Sequence, residues 1–220
     1  MPMRPFRFER CCFGCSVDFR NLFKLADISP AVFATENGLA GPALSLGRDG
    51  APSPSAYLAR LIDAGLWTDA IRFLAFALPR REGAWWACLS ARRALGDMSC
   101  DGTPELNAIE AAEAWVREPC EERRRACLAG AEAAGFDGAA GYAALAAYWT
   151  GNLAPPDAPE IPPDTRLAPT ATGAAVLLGA LGGRREPIAG SYRLAVREAL
   201  DIARGGDGRD IPADPQGWPA

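Results

Sequence analysis

The sequence predicts an all-α domain, either an irregular helical bundle or stacked helical hairpins of helical-repeat type, with about seven or eight helices and a Pro-rich strap. Three observations carry this. Apolar residues recur at spacings of three and four from Ser55 to Trp149 and again from Thr170 to Arg204. Helix starts and stops punctuate those runs, as in Ser53-Pro54, Thr103-Pro104 and Gly96. No stretch alternates apolar and polar residues over the length of a strand.

Taken in order, residues 1–27 read as a flexible N-terminal arm in which Phe6, Phe8, Phe13, Phe19 and Phe23 sit among arginines. Cys12 and Cys15 form a CxxC beside Cys11, yet zinc needs four ligands and no second CxxC lies at finger-like spacing. Residues 28–204 read as one helical domain. Its start, Ile28 to Ser55, is rich in Pro and Gly, which predicts a helical turn near Ala31 to Ala34 and then a loop.

Ser53 caps the first long helix, whose face carries Leu58, Leu61 and Ile62. Beyond Gly65, the residues Trp67, Ala70, Ile71, Leu74 and Leu78 share one face of the next helix. A third helix opens after Pro79 with Glu82 and ends with Arg92 and Arg93 before Gly96, charges that complement its dipole. Trp85 and Trp86 are neighbours and diverge by about 100 degrees around it, so one faces the core and the other a seam or the surface.

Thr103 and Pro104 start a helix buried through Leu106, Ile109, Ala112 and Val116, with Glu110 and Glu113 on its flanks. Another follows Pro119 with Cys127, Leu128, Ala131 and Ala134 as its stripe, and Glu118, Glu121 and Glu122 facing Arg123, Arg124 and Arg125 as a solvated charged surface. A small-residue helix runs through Leu145 to Trp149. Residues 151–169 hold six prolines and read as an extended strap, since each proline lacks an N–H and fixes φ. Such a stretch resembles ligands of SH3-type domains, although an intramolecular strap is the preferred reading. Thr170 to Gly183 is an uncharged buried helix, and Ile188, Tyr192, Ala195, Val196, Ala199 and Ala203 mark the face of a last one. Residues 205–220 read as a mobile C-terminal tail.

Composition narrows the function. The 220-residue chain has no histidine, which removes Ser/His and Cys/His nucleophile pairs, His general bases and HExxH zinc sites. A net charge of −4 disfavours a phosphate-binding surface, so no nucleic-acid partner is expected. No run is long and apolar enough for a membrane span or a signal peptide, which predicts a cytoplasmic protein with reduced cysteines. No P-loop is present, because no strand precedes the glycines of Thr170 to Gly183 and no GKS or GKT follows. No metal, cofactor or catalytic set is assigned.

Three segments, LPRREGAWWACLSARRAL, AAEAWVREPCEERRRACLAGAEAAG and YAALAAYWTGNLAPPDAP, resemble an uncharacterised bacterial all-helical family of about 200 residues associated with type VI secretion gene neighbourhoods. The resemblance spans Ala31 to Gly205 and implies no activity. The expected function is a non-enzymatic protein-binding accessory or adaptor of the bacterial cytoplasm, linked to a secretion system. Its candidate contact residues are Trp85, Trp86, Trp115 and Trp149, with Arg80, Arg81, Glu82, Arg92 and Arg93 as a polar rim, because Trp and Arg dominate binding hot spots. The alternatives are an enzyme built on Glu110 and Glu113 or on Cys88 near Arg92, and a structural subunit of a larger complex. The partner is another protein, and self-association stays open.

Overall fold

The computed structural model describes residues 19, 21–51, 53–96, 101–155, 157–182 and 188–211. Cys11, Cys12 and Cys15, residues 97–100 and residues 212–220 lie outside these. The described residues form ten helices and no strand: α1 (Pro30–Glu36), α2 (Gly41–Arg48), α3 (Pro54–Asp63), α4 (Trp67–Ala77), α5 (Arg80–Leu95), α6 (Pro104–Arg117), α7 (Glu121–Ala134), α8 (Ala139–Tyr148), α9 (Leu167–Gly182) and α10 (Ile188–Ala203).

Start signals place most of these. Ser53 Oγ accepts from Ala56 N at 3.1 Å and Thr103 Oγ1 from Leu106 N at 3.3 Å, each followed by Pro at the first helical position. Gly65, at φ 68, makes the turn that folds α3 back on α4. The helical turn expected near Ala31 to Ala34 lies in α1, while part of the loop expected after it is a second short helix, α2. Pro42 sits in the first turn of α2, where its missing N–H has no helical partner anyway. Gly47 lies where α2 meets α1, and a Cβ there would stand 2.9 Å from both Ala34 Cβ and Pro30 O. The residue that reads as a breaker is a contact point. Likewise α9 starts at Leu167, so Pro169 belongs to its first turn and not to the strap.

Two apolar cores share a central helix pair. One is built from α1 to α4 and α10, with Trp86 of α5 and Val176 of α9, and holds the edge-to-face rings Phe33, Phe73 and Tyr57 at 5.0–5.1 Å. The other is built from α6, α7 and α8 against Ala84, Ala87, Cys88 and Ala91 of α5 and Ala171 and Ala175 of α9. The bundle alternative therefore describes the chain: α9 returns to α5 and α10 to α4, which a serial stack of hairpins would not allow. Ile188, expected on the buried face of α10, is 54% exposed.

The arm and tail are partly tied down. Ala26 N donates to Ala77 O at 2.8 Å and Lys24 N to Ala203 O at 3.2 Å, so residues 21–27 are docked on α4 and α10. Gly208 N donates to Asp201 Oδ2 at 2.9 Å, and Gly208 is buried, so the tail is held as far as that contact.

Candidate functional site

Helix α5 carries seven of the expected contact residues, and nearly all of them bond inward. Arg81 Nε donates to Val116 O at 2.6 Å and its Nη2 to Arg117 O at 3.2 Å, which satisfies carbonyls that the end of α6 leaves open. Glu82 pairs with Lys24 at 3.1 Å. Arg92 donates from Nε and Nη2 to the two oxygens of Glu113 at 2.5 and 2.8 Å, a two-point fork, with Arg117 Nη1 3.7 Å away from the same carboxylate. Arg93 pairs with Glu198 of α10. Arg80 precedes these and is exposed.

The two neighbouring tryptophans divide as their helical angle requires. Trp86 is fully buried and its Nε1 donates to Ala195 O at 3.0 Å. Trp85 lies at the seam of both cores, donates to Asp207 O at 2.7 Å and lies under the Arg209 guanidinium, 4.7 Å from its ring centroid. Trp115 is 7% exposed and Trp149 is half-buried against the second core. Trp86 and Trp115 are thus core residues and not contact anchors: the folded chain covers them. Arg81, Arg92 and Arg93 tie α5 to other helices, and Glu82 ties it to the N-terminal segment.

The catalytic alternatives rest on Cys88, Glu110 and Glu113. Cys88 is 0% exposed among alanines, and loss of hydration pushes its thiol up, with Glu113 and Cys127 adding to the effect and outweighing Arg92. Burial likewise pushes the Cys127 thiol up to about 12. Glu113 is buried, not flanking as expected, and is filled by Arg92, while Glu110 is exposed. Among the described residues no group of three or more His, Cys, Asp or Glu side chains could hold a metal ion. A groove of about 370 Å³ between the N-terminal segment and α3 has Asp27 and Ser55 as its polar side chains besides Asn21.

The third arrangement holds the strap. Arg124 of α7 is 3% exposed, donates from Nε and Nη2 to both oxygens of Glu121 at 2.8 Å, and donates to the carbonyls of Tyr148 and Asn152 while lying 4.9 Å from the Tyr148 ring centroid. Arg125 Nη2 reaches Ala154 O at 2.6 Å. Asn152 Oδ1 accepts from Ala154 N at 2.9 Å and Ile161 N at 2.8 Å, and Leu153 N donates to Ile161 O at 2.9 Å. The strap is therefore a closed loop pinned at its base. Ala154 is buried; Pro155, Asp157 and Pro159 to Pro162 are exposed.

A family model matches residues 57–203, from α3 to the end of α10. The chain belongs to DUF6931, a family of unknown function. The DUF6931 match takes in the shared pair α5 and α9, all of the second core and the strap, and leaves out α1, α2 and the chain's ends. No curated protein and no solved structure matches the chain.

Sequence reasoning missed Arg124, Glu113 and Glu198 as buried charges. The signal was present. Arg124 stands three before Cys127 and seven before Ala131, Glu113 four after Ile109, and Glu198 three after Ala195, so each lies on its helix's apolar stripe.

Proposed function

We propose that this DUF6931 protein is a non-enzymatic protein-binding accessory of the bacterial cytoplasm, acting beside a secretion system of type VI. The observation that carries the reading is the strap, a closed loop fixed to α7 that turns prolines and the 55%-exposed Ile161 outward. Its hydrogen bonds order the loop before any partner arrives, which lowers the entropy lost on binding. The reactive groups weighed as an enzyme site point the same way, since Cys88 is enclosed with a raised thiol and Glu113 is filled by Arg92. The cytoplasmic setting is in keeping with described helices none of which is long and apolar enough to cross a membrane. The resemblance of LPRREGAWWACLSARRAL and its companion segments supports the secretion link.

Affinity purification of the tagged full chain from its native host, with chemical crosslinking and mass spectrometry, tests the reading. One protein recovered in fixed ratio and crosslinked to this chain is the expected result. A partner-free monomer, under conditions where the chain is folded and expressed, overturns it.

A further inference from the structure

The strap does more than cover the second core. Its inner residues, Leu153, Ala154 and Ala158, are buried or half-buried, while Pro159-Glu160-Ile161-Pro162 forms an exposed PxxP. The residue before a proline is pushed into extended or polyproline II backbone, and Ala158, Ile161 and Pro162 all stand there. Beyond the turn in which Ala158 N donates to Pro155 O at 3.1 Å, that geometry presents a proline ridge with no N–H of its own at Pro159, Pro162 and Pro163, the shape read by aromatic-lined grooves.

Charge then selects among such grooves. Asp157, Glu160 and Asp164 are exposed on and beside the ridge. Arg166, the one cation in the sequence of the strap, is held by Asp164 through bonds at 3.2 and 2.8 Å, leaving no other cation of the loop to face Asp157 and Glu160. A groove rimmed by acids would repel this loop, and one rimmed by Lys or Arg would attract it.

We propose that Pro159 to Asp164 is a preorganised polyproline ligand that docks in an aromatic-lined, Lys- or Arg-rimmed groove on a second protein. The proposal rests on the protein-binding reading above and names the partner's chemistry. Ile161 fills an apolar notch between aromatic rings; Asp157 and Glu160 meet the basic rim. The strap's base, made by Arg124, Arg125 and Asn152, keeps the ridge standing off α7.

The test uses the full chain with a photo-crosslinking amino acid in place of Ile161, and a control chain with it in place of exposed Glu132, in the native host. The expected result is a protein trapped from position 161 and not from 132, through a peptide carrying Trp or Tyr with Lys or Arg. Titration of that purified protein should then show binding weakened about tenfold or more by Ile161→Ala. It should be weakened similarly by Asp157→Lys with Glu160→Lys, and for the wild type by added salt. These side chains are exposed, so the melting temperature stays within a degree or two of wild type and loss of binding is not loss of fold. A trapped peptide without aromatic residues, or wild-type affinity in both variants, overturns the proposal. Recovery of a partner that crosslinks only elsewhere overturns it and leaves the protein-binding reading standing; recovery of none overturns both.

Discussion

Glu198 shows what a single buried charge does here. It lies on the inner face of α10, 6% exposed, and loss of water pushes its carboxyl up to about 7 even though Arg93 pulls in the other direction. The folded state therefore holds this proton more tightly than the unfolded chain, where the ordinary value is 4.5. Its stabilising contribution is complete below that unfolded value and is lost as pH rises through the folded one. Wild-type stability should fall between pH 5 and pH 8 by an amount on the order of 3 kcal/mol from this group alone. Glu198→Gln should remove that part of the slope, matching wild type near pH 5 and exceeding it near pH 8. Denaturant titrations of both chains across the range check this, and parallel curves would show that burial does not dominate at Glu198. Arg93 and Glu198 are 105 positions apart, which is why no local pattern announces the pair.

At the scale of elements, α5 and α9 approach closely through small residues. A Cβ on Gly179 would stand 2.6 Å from Ser90 O on α5, a backbone atom that cannot swing aside. Gly179→Ala would gain about 1 kcal/mol of helix propensity. Forcing the helices apart costs about 1 to 3 kcal/mol, so the net effect should be destabilising, read as a lower melting temperature. An unchanged or raised value would mean that the pair separates without loss. Arg124 is the corresponding device for the strap. Arg124→Ala leaves the carbonyls of Tyr148 and Asn152 without their charged donor, at about 1 to 3 kcal/mol each. Hydrogen exchange should quicken at Leu153, Ala154 and Ile161, whose amides bond within the strap's base. Exchange that quickens uniformly would assign Arg124 to global stability alone. Helices with a capping hydroxyl and an early proline were legible because that signal is local, as at Ser53 and Thr103. Helix α2 was not, because Gly47 there answers to Ala34 and Pro30 across a helix contact. The partners of Arg92 and Arg93 were not legible for the same reason: the two look like the end of one helix, and their carboxylates come from α6 and α10.

For the whole molecule, the sharing of α5 and α9 by two cores fixes how the chain should unfold. Trp86 faces one core and Cys88, two positions on, the other. Neither core can then melt without stripping a face from the helices that bound its neighbour. Arg92 and Arg93 repeat the arrangement in charge, tying α5 to α6 on one side and to α10 on the other. Trp85 adds a tie to the tail, 122 positions away, which no reading of neighbouring residues would find. Leu58→Ala in the first core and Ile109→Ala in the second each remove a fully buried side chain and should each cost about 2 to 5 kcal/mol. Both should shift one and the same transition, with far-UV circular dichroism and tryptophan fluorescence falling together in wild type and in each variant. A two-step curve in which Ile109→Ala moves only one step would mean that the second core melts while the first, with α5 still in place, persists.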